Sequence, residues 1–316
     1  MRIWPALSAF WFSKDKIYMF GIIIALISSS FHAASNILDA HIAGKIFKRL
    51  PTVIFYSGVT NCLALPVLLF LEMPTAIPLA ILPYFILTVL IEIIYLPLYY
   101  TALKRVDTSI VAAMFSMGKI VVPVLAYFLV NERLCPLQYI GFGIVILFNI
   151  LLNVNVKQKF KIDLSFWLML FVSVIISVQS VLYKKIFEQM DWVNVAFYTI
   201  IFFNFFIALF FLHAASRHDI CASFKTYLKN WKVFFALEFT DRMGILTSLV
   251  AISLLPVMVQ KGISSIQPIF VLLYGFILYK LFGDKFKEDI TAKNMMKKFI
   301  CFVFIIIGII LTIGNP

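Results

Sequence analysis

The chain has 316 residues, of which 63% are hydrophobic, 16% aromatic and only 13% charged. A soluble chain of this length could not cover its surface with so few polar side chains, so the composition excludes a soluble globular protein. In a membrane protein, a net charge of +12 indicates basic loops that set the topology and contact anionic lipid. The sequence has no aromatic-basic RNA-binding motif, so no nucleic-acid partner is predicted.

Apolar residues fall in runs of about twenty, the length that an α-helix needs to cross the hydrocarbon layer. Within lipid, every backbone N–H and C=O must be paired inside a helix or a closed barrel, and long continuous runs favour helices. The sequence therefore predicts an all-α membrane protein with ten transmembrane helices, numbered as spans 1 to 10. In chain order they cover residues 17–38, 53–71, 78–103, 108–130, 136–154, 164–187, 193–212, 232–254, 257–282 and 299–313.

The ten spans divide into two sets of five at a lysine-rich stretch, residues 155–163. An alignment of the two sets superposes polar residues: Glu92 with Asp241, Ser116 with Ser265, His32 with Gln179, and Asn36 with Tyr183. Repeats with an odd number of helices must enter the membrane in opposite directions, which produces a cavity at the repeat interface. We therefore predict two inverted five-helix repeats, residues 1–156 and 157–316.

Three features of the chain are found together in one transporter family. They are the five-plus-five arrangement, the Ala102-Leu103 pair that closes span 3, and the triplet Glu132-Arg133-Leu134 after span 4. In these features the chain resembles the EamA-like family of the drug/metabolite transporter superfamily. That family usually has a proline where this chain has Lys119, and here Pro123 follows one turn later. The resemblance implies a transporter, and the departure at Lys119 points to a specialised substrate group.

Ionisable side chains in the middle of predicted spans are informative because each costs about 2.5–3.5 kcal/mol to insert. Lys119 lies near the centre of span 4, Glu92 near the centre of span 3, and Asp241 within span 8. We expect all three to face one aqueous cavity, where Lys119 receives a substrate carboxylate or phosphate. Glu92 or Asp241 would then bind an ammonium group or exchange a proton. The alternative is a set of structural ion pairs, Lys119 with Glu92 and Asp241 with Arg242.

Uncharged polar and aromatic residues complete the predicted substrate site. The aligned polar residues either hydrogen-bond the substrate or join helices to one another; they are His32, Gln179, Asn36 and Tyr183. Tyr95 and Tyr99 share one side of span 3 and would form an aromatic wall for a planar or cationic group. With 34 phenylalanines and 13 tyrosines in the chain, such a stripe can equally arise by chance.

The sequence thus predicts a secondary transporter that moves a small polar metabolite, an amino acid or a nucleotide-derived compound, across the bacterial inner membrane. It would work by alternating access, proton-coupled or by exchange, since the sequence has no ATP-binding GxxxxGK[ST] motif. The expected partners are the substrate and the lipid bilayer, and no cofactor or metal is expected. The alternative is a membrane-embedded enzyme acting on lipid or isoprenoid substrates, although the four histidines are dispersed and no paired-carboxylate motif is present.

Orientation and assembly stay open at this point. Lysine and arginine concentrate in the loops after odd-numbered spans, which places both termini outside the cytoplasm. The family resemblance implies that both termini lie inside. Gly141 in span 5 and Gly308 in span 10 permit close helix packing, either within the chain or at the face of a homodimer, so the protein is a monomer or a homodimer.

Overall fold

A computed structural model of the chain describes residues 14–42, 49–103, 111, 114–153, 164–209, 212–282 and 292–314. Within these ranges all regular elements are helical, which confirms the predicted all-α class. The α-helices are α1 (Lys14–His41), α2 (Leu50–Asn61), α3 (Leu65–Leu71), α4 (Leu82–Leu103), α5 (Val122–Val130), α6 (Pro136–Asn153), α7 (Leu164–Ile186), α8 (Trp192–Ala208), α9 (Ala214–Lys229), α10 (Trp231–Leu254), α11 (Val257–Ser264), α12 (Gln267–Phe282) and α13 (Ala292–Ile313). Short 3-10 segments, Cys62–Ala64 and Met117–Val121, precede α3 and α5. The predicted boundary at 155–163 lies outside the described residues.

Five helical segments are long and apolar enough to cross a membrane: Asp15–Asp39, Leu50–Leu71, Leu82–Leu103, Leu164–Ile186 and Val257–Ile277. Shorter apolar helices cover Met117–Val130, Pro136–Leu152 and Trp192–Ala208. Three of the predicted spans are interrupted by a 3-10 segment or a turn, and a proline stands in the first turn of the helix that follows: Pro66 in α3, Pro123 in α5 and Pro268 in α12. A proline is tolerated there because the N–H that it lacks would have no partner within the helix.

One helix lies where the sequence predicted only a polar connection between spans 7 and 8. Helix α9 packs against α2 through Ile220 and Tyr227. The Tyr56 hydroxyl donates to the Ile220 carbonyl oxygen at 2.6 Å, and the rings of Tyr56 and Tyr227 stack 4.4 Å apart. Apolar residues at helical spacing, including Phe224, were the signal for this helix, but the basic residues around them obscured it.

The helices pack in a regular set of neighbours. Helix α1 runs antiparallel to α10, since Ser28 donates to the Gly244 carbonyl oxygen and Ser35 to the Asp241 carboxylate. Helix α4 packs against α7, and α7 also contacts α5 and the 3-10 segment before it. Helix α1 contacts α12, α6 pairs with α13, and α2 and α3 contact α8. In terms of spans, the neighbours are 1 with 8, 3 with 6, 1 with 9, 4 with 6, 5 with 10, and 2 with 7.

Glycines allow two close approaches between these helices. A Cβ atom on Gly141 would lie 2.7 Å from the carbonyl oxygen of Gly308, so both glycines serve the contact between α6 and α13 within one chain. A Cβ atom on Gly118 would lie 2.1 Å from the carbonyl carbon of Ser173 in α7. The second approach seats the 3-10 segment tightly and thereby positions the neighbouring Lys119.

The interruption between α10 and α11 is held by two charged side chains. Both carboxylate oxygens of Glu132 accept from the backbone N–H of Val257, at 3.0 and 2.9 Å. The Lys184 Nζ donates to the carbonyl oxygens of Ile252 and Leu255, both at 2.8 Å. An anion at a helix N-terminus and a cation at a helix C-terminus both complement the helix dipole. Glu132 therefore stabilises the start of α11, and Lys184 the end of α10.

A candidate substrate cavity lined by both halves

A cavity of about 200 Å³ lies among α1, α2, α4, α7, α8, α10, α11, α12 and the 3-10 segment Met117–Val121. Every residue predicted for the substrate site lines this one cavity: Lys119, Glu92, Asp241, His32, Gln179, Asn36, Tyr183, Tyr95 and Tyr99. The structure thus brings together the residues that the sequence singled out. Their role in binding stays a prediction.

Lys119 is held in the cavity wall by hydroxyl groups. Its Nζ donates to Ser264 Oγ at 3.0 Å and to Ser265 Oγ at 2.9 Å. Both hydroxyls in turn donate to the backbone carbonyl oxygen of Lys261. In the part of the chain that the structure describes, no carboxylate lies within 4 Å of the Lys119 Nζ. The ion pair with Glu92, one of the two alternatives from the sequence, is therefore not formed.

Glu92 is bonded only to neutral groups among the described residues. Its Oε2 accepts from Gln179 Nε2 at 2.9 Å, and its Oε1 from the Tyr95 hydroxyl at 3.4 Å. Gln179 is itself fixed by donating to the Thr88 carbonyl oxygen at 3.0 Å. The carboxylate is buried, and its hydrogen bonds orient it, while no lysine or arginine of the described residues lies within 4 Å of it.

Asp241 and Arg242 form the ion pair that the structural alternative anticipated. Arg242 Nη2 lies 2.6 Å from Asp241 Oδ2, and Arg242 Nε lies 4.0 Å from Glu238 Oε2. Ser35 Oγ is 3.4 Å from the other oxygen of Asp241. Arg242 thus lies between two carboxylates of α10 and is the counter-ion that they share.

Asp39 is the cavity residue that the sequence interpretation missed. It accepts from the hydroxyls of Tyr99 at 3.1 Å and Tyr100 at 2.7 Å. No lysine or arginine of the described ranges lies within 4 Å of its carboxylate. Asp39 stood one residue beyond the predicted end of span 1 and therefore resembled a boundary charge. Its spacing from His32 and Asn36, which puts all three on one side of a helix, was the signal that could have identified it.

Three buried polar atoms of cavity-lining residues have no hydrogen-bond partner among the described residues, namely Asn36 Nδ2, Gln260 Oε1 and Arg242 Nε. The rest of each amide group is engaged: Asn36 Oδ1 accepts from Tyr99, and Gln260 Nε2 donates to Ser248 Oγ at 3.1 Å. A buried polar atom without a partner costs about 1–3 kcal/mol. The two amides therefore offer one donor and one acceptor to water or to a ligand.

The segment that forms α1 to α6 has a recognisable family relationship. Residues 19–154 match the model of the EamA-like transporter family. This segment is EamA-like. The family is part of the drug/metabolite transporter superfamily, which confirms the resemblance seen in the sequence. The match over this segment and the apolar helices support a multi-pass membrane protein, and they do not support the membrane-embedded enzyme.

Comparisons with individual proteins give information on the fold alone. No curated protein matches it in sequence. One solved chain, described only as a crystal structure of a protein, superposes with a TM-score of 0.61 over 91% of this chain and 95% of its own length, at 14% identity. The superposition shows that the two chains share a fold. An identity of 14% gives no information about the substrate.

Proposed function

We propose that the chain is a secondary transporter that moves a small polar metabolite across the bacterial inner membrane by alternating access. The observation that carries this proposal is the placement of Lys119 and Glu92. Both are buried, both line the same cavity, and no salt bridge joins them to each other. Uncompensated charges at the predicted centre of a membrane are tolerated where water or a substrate solvates them.

The arrangement of neighbouring helices supports two inverted five-helix repeats, residues 1–156 and 157–316. When each span is exchanged for its counterpart five positions away, the neighbours 1 and 8 become 6 and 3, and 1 and 9 become 6 and 4. The pairs 5 with 10 and 2 with 7 map onto themselves. This is the pattern expected of a two-fold relation between the halves.

Polar cavity residues are consistent with the same relation. Gln179 donates to Glu92, and the aligned counterparts of these two residues are His32 and Asp241. All four residues line the same cavity. Aligned polar positions of both halves therefore contribute to one site, which supports the proposed repeat.

Alternating access would use the interruptions of the helices. Each half contains at least one span broken by a 3-10 segment or a turn, where a bundle can rock without breaking a continuous helix. We propose that Lys119 binds an anionic group of the substrate and that Glu92 or Asp241 binds an ammonium group or exchanges a proton. An amino acid or a nucleotide-derived compound is the substrate class that we propose to test first.

A counterflow experiment tests this function. Purified protein is reconstituted in liposomes loaded with unlabelled amino acids and nucleosides, and entry of each labelled compound is measured. We expect entry of at least one compound well above that of protein-free liposomes, and strongly reduced entry for Lys119→Met and Glu92→Gln. Lys185→Met is the matched control, because Lys185 forms an exposed pair with Glu188 outside the cavity. Entry no faster than in protein-free liposomes, or full activity of both cavity variants, would overturn the proposal.

A further inference from the structure

The charged groups of the cavity are ordered along α1. His32, Ser35 and Asp39 lie on that helix in this order. Asp39 is seven positions after His32, which corresponds to roughly 10 Å along the helix axis. Ser35 lies at the level of Asp241. The positions of the other charged groups of the cavity can therefore be given relative to the residues of α1.

The end near His32 is cationic. Val259 and Ile263 of α11 share a buried cluster with Ile22 and Ala25, which precede His32 on α1. Lys261 and Ser264, the partner of Lys119, therefore lie toward this end. Lys119 and Lys261 are 7% and 9% exposed, and neither has a carboxylate within 4 Å in the described ranges. Lys119 contributes to the cavity wall, whereas Lys261 does not line the cavity and adds only to the positive potential there. An anionic group that enters this end meets the buried ammonium of Lys119.

The end near Asp39 is anionic. Asp39 is 8% exposed and is bonded only to tyrosine hydroxyls among the described residues. Glu238 accepts from Ser57 and lies at the same end of the cavity. Arg242 compensates Glu238 and Asp241 but does not reach Asp39. A cationic group that enters here meets one buried carboxylate without a counter-ion.

Aromatic rings stand beside this carboxylate. The rings of Tyr99 and Phe115 lie 5.6 Å apart, and both line the cavity with Asp39. The negative faces of aromatic rings attract cations, so this wall complements the carboxylate in holding an ammonium group. The unpartnered Asn36 Nδ2 and Gln260 Oε1 are free to bond polar, uncharged parts of the same ligand.

On the basis of the transport function proposed above, we infer that the substrate is an elongated zwitterion. Its anionic group would bind Lys119 and its ammonium group Asp39, with the two charges roughly 10 Å apart along α1. Of the two roles proposed above for Glu92 or Asp241, this assignment leaves proton exchange. Such a ligand compensates a buried cation and a buried anion at once, which removes the cost of leaving each unpaired. An α-amino acid carries both charges on one carbon atom and reaches only one end.

Oligoglycines provide a set of probes that differ in the distance between their charges. Each extended residue adds about 3.5 Å, so triglycine spans roughly 10 Å. Thermal stabilisation of the purified protein is measured with glycine, diglycine, triglycine and tetraglycine, because a ligand that binds only the folded state raises the melting temperature. We expect the largest shift with triglycine. Triglycine amide and N-acetyltriglycine, which each lack one charge, should bind at least about tenfold more weakly.

Cavity variants assign each charge of the ligand to its residue. In Lys119→Met, triglycine and triglycine amide should stabilise the protein equally, because the partner of the carboxylate is gone. In Asp39→Asn, triglycine and N-acetyltriglycine should stabilise the protein equally, because the partner of the ammonium group is gone. Lys185→Met and Glu188→Gln, from the exposed pair outside the cavity, should keep the wild-type preferences. Charge preferences that persist in both cavity variants would overturn the assignment.

The failure of this inference can be distinguished from failure of the transport function. Stabilisation by glycine as large as that by triglycine, equal binding of the peptides lacking one charge, or no stabilisation by any peptide would overturn the elongated zwitterion. Counterflow of some other compound would leave the transport function intact in each case. Conversely, stabilisation by triglycine together with no counterflow, in liposomes loaded with triglycine as well as the amino acids and nucleosides, would support the site and reject transport.

Discussion

Glu132, which lies between α5 and α6, accepts hydrogen bonds from the backbone N–H of Val257, the first residue of α11. A residue of one proposed repeat thus caps a helix of the other. Glu132 belongs to the acidic-basic-apolar triplet on which the family resemblance depended. The structure gives this carboxylate a physical role, since it stabilises the helix that carries Gln260 and Ser264 to the cavity.

Loss of this cap should destabilise the protein measurably. We expect Glu132→Ala to lower the free energy of unfolding by about 1–2 kcal/mol, the usual cost of removing a helix cap. Glu188→Ala is the matched control, because Glu188 forms an exposed pair of the kind that contributes little. Thermal unfolding in detergent measures both. A Glu132→Ala variant as stable as Glu188→Ala would show that the cap is not energetically important.

The same carboxyl group should make stability depend on pH. Burial raises the pKa of Glu132 above its ordinary value of 4.5, against the opposing effects of the Val257 N–H and the Lys184 charge. A carboxyl with a raised native pKa binds more protons in the folded than in the unfolded state, so its contribution falls as pH rises from the unfolded to the native pKa. The stability of the wild type relative to Glu132→Gln should therefore decrease as pH rises above 4.5. A difference that is constant or increases with pH would contradict this prediction.

Two glycines should respond oppositely to the same substitution. A Cβ atom on Gly118 would collide with the backbone of Ser173, whereas a Cβ atom on Gly143 meets nothing within 4 Å. We expect Gly118→Ala to destabilise by about 1–3 kcal/mol or more, since backbone cannot move aside as a side chain can. Gly143→Ala should be neutral or stabilising by up to about 1 kcal/mol, because alanine favours the helix. Melting temperatures that change equally in the two variants would contradict the close approach.

Arg242 should be more important for stability than either carboxylate beside it. Arg242→Met leaves Asp241 and Glu238 without their counter-ion, and removal of one partner from a buried pair typically costs about 3–5 kcal/mol. The double variant Asp241→Asn, Arg242→Met removes one of the two uncompensated charges, so we expect it to recover part of that loss. A double-mutant cycle of unfolding free energies measures the coupling. Strict additivity of the two substitutions would show that the pair does not interact energetically.

The composition of the cavity could be predicted from the sequence to a considerable degree. Lys119, Glu92 and Asp241 stood out because a charge inside an apolar run is costly wherever it points. His32 and Gln179 stood out because they occupied corresponding places in aligned spans. Both signals are local properties of the chain, and the structure places all five residues on the wall of one cavity.

The sequence by itself also determined that this chain is an all-helical membrane protein, because the length of each apolar run is a local property that the thickness of the hydrocarbon layer selects. Only the tertiary structure decided which groups meet. Lys119 bonds Ser264 and Ser265 instead of Glu92, and Asp39 lies in the cavity instead of at a boundary. Such partners depend on the rotation and crossing of helices far apart in the chain, which are set by close packing at positions such as Gly118 and not by the residues of any one span.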